Sequence, residues 1–207
     1  MLILAGLGNP GAQYERNRHN LGFMAVDGIS GRYRLQNERF RFLGLTRQGT
    51  IPTPEGPVNV LVLKPQTFMN ESGRSVAEAM HFFKATPAQV VVFHDELDLA
   101  PGRFRMKTGG GAAGHNGLRS IVQQIGPGFR RARLGIGHPG DKDRVLSYVL
   151  ANFHQDDLPW VKALCEACAE AAPLLADGLD ERYQGEVMRL APAEKADPRQ
   201  PGREGPA

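Results

Sequence analysis

Three short apolar runs constrain this chain more than any other feature: residues 2–6, 58–63 and 90–94, each bounded by turn-forming residues. Runs of that length, rich in Val, Leu and Ile, read as buried strands. The segments between them carry a different period. Leu21, Met24, Ala25 and Ile29 share one helical face, as do Val76, Ala79, Met80 and Phe83, and again Leu118, Ile121, Val122 and Ile125. Strands alternating with amphipathic helices predict an α/β fold: a single domain with a mixed twisted sheet and helices on both faces. Segments 41–48, 102–107 and 132–136 are weaker strands. The Pro-, Gly- and Thr-rich stretch 49–57 predicts a hairpin loop, which is what makes the sheet mixed. A longer helix is expected from Asp156, as N-cap, toward Ala176.

At 207 residues one core suffices, and the 41% apolar and 23% charged content is that of an ordinary globular chain. From Ala191 onward the residues are Pro, Gly, Ala and charge, so the folded unit is expected to span 1–190 and a disordered tail 191–207. No window is long and apolar enough for a membrane span, and the first residues lack the basic start and cleavage site of a signal peptide. Cys165 and Cys168 form a C-x-x-C, yet no second pair completes a zinc site, and their helical spacing places them with Val161, Leu164 and Ala172 as core. Without a disulfide framework or export signal the expected compartment is the cytosol.

The formal net charge of +3 is mild, and its distribution is more informative. Arg103, Arg105 and Lys107 alternate along one strand face; Arg130, Arg131 and Arg133 form a second cluster, Lys142 and Arg144 a third. Three cationic clusters beside Gly-rich motifs point to a polyanionic partner.

Chemistry-bearing residues follow the strands. Gly6-Leu7-Gly8-Asn9-Pro10-Gly11 formally matches a dinucleotide fingerprint. A polar stretch from Gln13 to Asn20 delays the helix that such a site requires, and Asp27 falls inside that helix rather than at a strand end, which argues against it. An oxidoreductase reading would predict NAD binding. Arg16-Asn17-Arg18-His19-Asn20 sets a histidine between a strand-end loop and a helix start, where catalytic groups of α/β folds gather. His94-Asp95-Glu96-Leu97-Asp98 closes the strand at 90–94. Three carboxylates there could bind a divalent metal, or one could orient a histidine. In Lys107 to Gly117 the glycines allow close ligand approach, and the absent Gly-Lys-Ser/Thr ending removes a P-loop. Lys64 to Asn70 joins a strand to a helix, with Asn70 readable as a plain N-cap. Gly135 to Lys142 is a turn-rich loop carrying a cation.

In this order G-L-G-N-P-G, R-H-N, F-M-N, H-D-E-L-D, G-H-N-G-L and G-I-G-H-P-G-D-K make the chain, over roughly residues 1–185, similar to the bacterial peptidyl-tRNA hydrolase family. The resemblance implies hydrolysis of the ester between a peptide and the 3′ end of tRNA, without metal or other cofactor, by a cytoplasmic monomer. It implies His19 as general base, Asp95 as its orienting partner, and Asn9 as the residue that tells peptidyl from aminoacyl ends. It further implies Tyr14, Phe68, Asn70 and Asn116 as substrate-binding positions, and Lys107, Arg133 and Lys142 as contacts to the tRNA phosphates. Ala113, where the family loop usually has Gly, and Asn17, where Thr is common, depart from the pattern and bear on substrate fit. Plastid splicing factors also resemble the family, so an RNA-binding protein on the same scaffold is the alternative.

Overall fold

The computed structural model of the chain describes residues 1–193. The strands are β1 (Leu2–Gly6), β2 (Arg39–Arg41), β3 (Gly44–Ile51), β4 (Val58–Pro65), β5 (Val90–Glu96), β6 (Phe104–Thr108) and β7 (Arg130–Gly135). The helices are α1 (Leu21–Arg32), α2 (Ser72–Phe82), α3 (Asn116–Ile125), α4 (Val145–Leu150), α5 (Leu158–Glu170), α6 (Ala172–Ala176) and α7 (Asp180–Leu190).

The strands form one sheet in the order β2-β3-β4-β1-β5-β7-β6. Its centre, β4-β1-β5-β7, is parallel. The strands β2 and β3 on one side, and β6 on the other, run antiparallel. Successive side chains of β1 point to opposite faces. Leu2 and Leu4 join a cluster with Ala25 of α1, Leu164 of α5 and Tyr183 of α7, while Ile3 and Ala5 join Val76 and Ala79 of α2 and Ile121 of α3. Helices therefore cover both faces, which is why the central strands are apolar without alternation.

Several expectations shift at their edges. The 49–57 loop is shorter, because β3 runs on through buried Ile51, which pairs with Val58. The helix expected from Asp156 to Ala176 is two helices, α5 and α6, parted at Ala171 just before Pro173, which has no N–H to continue the ladder. The cap ahead of α5 is His154 rather than Asp156: the imidazole accepts from the Asp156 amide. Cys165 and Cys168 are buried core thiols, and burial pushes Cys168 up to about 12, far from reactive thiolate chemistry. Within the expected tail, Ala191 is buried and its amide bonds to Val187 at 2.9 Å. Residues 194–207 of that expectation lie outside the described residues.

From β1 the chain passes through α1, β2 and β3 to β4 on one side of β1, then through α2 to β5 on the other. The connections leaving β1 and β5 thus diverge, which opens a crevice at the carboxyl ends of the parallel strands. Close packing of α1 sets its depth. The Phe23 amide bonds to Leu7 O at 3.2 Å, and a Cβ on Gly22 would lie 2.2 Å from Phe93 O and 2.5 Å from Leu7 N. Only glycine fits there. Gly22→Ala is expected to cost about 1–3 kcal/mol through overpacking against rigid backbone, visible as a lower thermal-unfolding midpoint; an unchanged midpoint would contradict the close approach.

Candidate active site

His19 sits on the one-turn helix Arg18–Asn20 that leads into α1, and Asp95 is the penultimate residue of β5. Residues 76 positions apart meet at this crevice: His19 Nδ1 lies 3.0 and 2.9 Å from the two Asp95 carboxylate oxygens. The histidine segment is tied down from its other side. Arg18 donates to Asn152 O at 3.0 Å and lies over the Tyr148 ring at 4.4 Å, and Asn17 donates to Asn152 Oδ1 at 2.8 Å. Asn17, a departure from the family pattern, is a buried side chain that faces a neighbouring loop, its Nδ2 bonded to Asn152 and its Oδ1 without a protein partner among the described residues.

A second imidazole, which the sequence motifs contain but to which they assign no role, completes the arrangement. His115 Nε2 lies 3.0 Å from Asp95 Oδ1, and its Nδ1 accepts the amides of Gly117 at 3.1 Å and Leu118 at 3.4 Å, capping α3. An Nδ1 that accepts must be unprotonated, so Nε2 carries the proton and donates to Asp95. Asp95 therefore receives two imidazole N–H groups while only 3% exposed. The available signal was the position of G-H-N-G at a helix start, where a side chain able to accept is favoured.

These contacts set the electrostatics. Burial alone would lower the His19 pKa, but the Asp95 charge and its hydrogen bond outweigh that and raise it. Burial would raise Asp95; the facing His19 and His115 outweigh it and hold the carboxyl below the usual range. With Nδ1–H given to Asp95, His19 keeps Nε2 as a lone pair, bonded to none of the described residues.

A cleft of about 280 Å³ opens over this pair. His19, Asp95, His115, Asn116 and Lys142 line it, facing an apolar wall that includes Leu97, Leu146 and Val149. Asn9 is buried and does not line this cleft: its amide and carbonyl are held by Asn20 at 2.9 Å each, and its Oδ1 accepts from Met69 N at 2.9 Å. Among the described residues, the Asn9 Nδ2 hydrogens have no partner. Asn70 follows Met69 in a short turn, exposed, and Glu71 rather than Asn70 precedes α2, so the N-cap reading of Asn70 falls. Phe68 is exposed on the same connection, and Tyr14 is half-buried on the turn after β1. Neither lines the cleft among the described residues.

The cations divide. Lys107 and Arg133 come together on adjacent strands beside a smaller cavity, with Arg133 Nε on Glu96 at 2.8 Å. Arg130 and Arg131 are buried, Arg130 paired with Asp180 and Arg131 bonded to loop carbonyls, so that cluster is not the surface patch its composition implies.

The three carboxylates after β5 likewise do not converge. Asp95 faces the imidazoles, Glu96 faces Arg133, and Asp98 is exposed. His19, Asp95 and His115 do offer ligand atoms within 4.8 Å of one another. An ion there would need the lone pair of His115 Nε2, and His115 could supply it only by giving up the acceptor role that caps α3.

An imidazole oriented in this way can draw a proton from water, and no Ser, Thr or Cys lines the cleft among the described residues to act as nucleophile instead. The fold and site thus define an α/β protein with a carboxylate-oriented imidazole at its cleft, an arrangement suited to hydrolysis. Comparison with known proteins narrows the class. The family profile described as peptidyl-tRNA hydrolase matches residues 3–195. A peptidyl-tRNA hydrolase of Phenylobacterium zucineum (strain HLK1) is 66% identical over 199 residues, covering 96% of this chain and 95% of that one. One of Caulobacter vibrioides (strain NA1000 / CB15N) is 59% identical over 204 residues, covering 99% and 100%. The crystal structure of peptidyl-tRNA hydrolase from Acinetobacter baumannii superposes with a TM-score of 0.84 at 39% identity, covering 90% of this chain and 94% of that one. The chain belongs to the peptidyl-tRNA hydrolase family.

The His19–Asp95 contact is open to direct measurement. An NMR titration of the His19 ring should show a midpoint above the ordinary 6.5. In Asp95→Asn, burial acts unopposed and the midpoint should drop below it. A midpoint that stays in place would mean the carboxylate does not govern the imidazole.

Proposed function

We propose that the chain hydrolyses the ester joining a peptide to the 3′ end of tRNA, with water as nucleophile and His19 as general base. The observation that carries this reading is the His19 Nδ1 contact with both Asp95 oxygens, which leaves Nε2 basic and free at the cleft. Asp95 holds the tautomer and stabilises the imidazolium as water gives up its proton. A ribose-linked ester has a better leaving group than an amide, so water and a positioned base suffice. The base contributes about 10²–10⁴-fold, and an amide donor at the developing oxyanion about 10²–10³-fold.

Asn116, on the cleft wall, supplies such a donor, and the free Nδ2 hydrogens of Asn9 are suited to the carbonyl that only a peptidyl end carries. Asn70, Phe68 and Tyr14 receive the tRNA end and the peptide. Lys107, Arg133 and Lys142 take phosphates, adding salt-sensitive affinity without reading sequence. Residues 1–190 form the catalytic unit, acting as a cytoplasmic monomer without metal. In support of metal independence, His115 uses the nitrogen opposite Asp95 to cap α3. Among the described residues no helix is long and apolar enough to cross a membrane.

Hydrolysis of N-blocked against unblocked aminoacyl-tRNA, with chelator present, tests this reading. The blocked substrate should be cleaved and the unblocked one spared. His19→Ala should lose at least about 100-fold in turnover while still binding tRNA. A folded His19→Ala protein with normal turnover would remove His19 from the mechanism, and loss of activity in chelator would restore a metal. Lys107→Ala and Arg133→Ala should raise KM more than they lower kcat, with the difference from the unmodified protein shrinking as salt rises, because salt screens the lost contact; a pure kcat loss would contradict the phosphate role.

A further inference from the structure

Of the two buried arginines of β7, Arg131 holds the loop that leads into α3. Arg131 is 3% exposed, stacks over the Phe129 ring at 4.6 Å, and donates through its two terminal nitrogens to the carbonyls of Gly110 and Gly111. The loop it holds is awkward backbone: Gly109, Gly110, Ala113 and Gly114 all have positive φ, and Ala113 has it despite a side chain. That loop delivers His115, the second donor to Asp95, and Asn116 on the cleft wall.

Two polar atoms nearby have no protein partner. Arg131 Nε is buried and unpaired, and so is His94 Nε2, on a side chain 1% exposed. His94 gives its Nδ1–H to Asp95 O at 2.8 Å, so its Nε2 is a lone pair that needs a donor, whereas Arg131 Nε–H needs an acceptor. Both residues line a cavity of about 40 Å³ beneath the loop. A small group that accepts on one side and donates on the other satisfies both atoms. Water does so and fits the volume; a simple anion would accept from Arg131 but leave the His94 lone pair facing negative charge.

We infer that one water molecule bridges Arg131 Nε and His94 Nε2 in this cavity, and that Arg131 is through this strut a positioning residue for the reaction. The strut joins β5, one residue before Asp95, to the two carbonyls that fix the loop path, so it sets where His115 meets Asp95 and where Asn116 faces the substrate. The inference rests on the proposed roles of His19 and Asp95, but its structural half stands apart from them.

A high-resolution crystal structure of the unmodified protein tests that half: an ordered water should lie within about 3.2 Å of both nitrogens. A dry cavity, or a protein group bonded to either atom, would overturn it. Arg131→Lys, which keeps the charge but not the three-way donor geometry, tests the other half. Its kcat should fall about 10–100-fold, as for a slight misplacement of reacting groups, with KM changed by less than about twofold. The acid limb of its kcat/KM profile should move to higher pH, because a slackened loop withdraws His115 and leaves the Asp95 charge to His19 alone. A phosphate-contact role would instead be rescued by lysine and move KM with salt, and a purely structural one would lower the unfolding midpoint with kcat and the acid limb unmoved. Either result sinks the positioning role. If the water is present while His19→Ala remains active, the strut stands and the proposed chemistry fails.

Discussion

The site depends on a carboxylate kept charged where water barely reaches it. Burying an ionised Asp95 is unfavourable unless hydrogen bonds replace its hydration. The two imidazole N–H groups do that, from residues on opposite sides of β5 in the chain. The bond that lowers the pKa of Asp95 also raises that of His19 and fixes its tautomer, so folding stability and basicity come from the same contact.

The polarity of this arrangement is set outside the pair. Amides at the start of α3 occupy His115 Nδ1, which forces its proton to Nε2 and toward Asp95. Asp95 then holds the proton on His19 Nδ1, and the free lone pair emerges at Nε2. The start of α3 thus reaches His19 through two side chains, His115 and Asp95, and the chain of bonds fixes the tautomers of both imidazoles. The same chain of donors makes the cluster a poor metal cage, although its atoms lie close enough for one.

Much of the fold was legible from periodicity. The apolar runs at 2–6, 58–63 and 90–94 became three adjacent strands of the parallel centre, and the helical faces of α1, α2 and α3 pack as their spacing predicts. What periodicity misplaced were boundaries and partners. Ile51 extends β3 because the core has room for it, and Pro173 divides a helix that residue pattern alone would continue. Arg130 and Arg131 read as surface charge because composition does not record that Asp180 and the glycine-loop carbonyls lie within reach. His115 was overlooked for a related reason: its role lies in a contact with Asp95, 20 positions away.

By itself the sequence determined the alternation of strands and helices, and the identity of the groups able to do chemistry, since side-chain type and local period are properties of nearby residues. Only the tertiary structure decided that His19, Asp95 and His115 share one buried point, which nitrogen of each ring bears a proton, and which arginines face inward. Those outcomes arise from the parallel pairing of β1 with β5 at the centre of the sheet and from the competition of buried donors for few acceptors, and neither is written in any short stretch of chain.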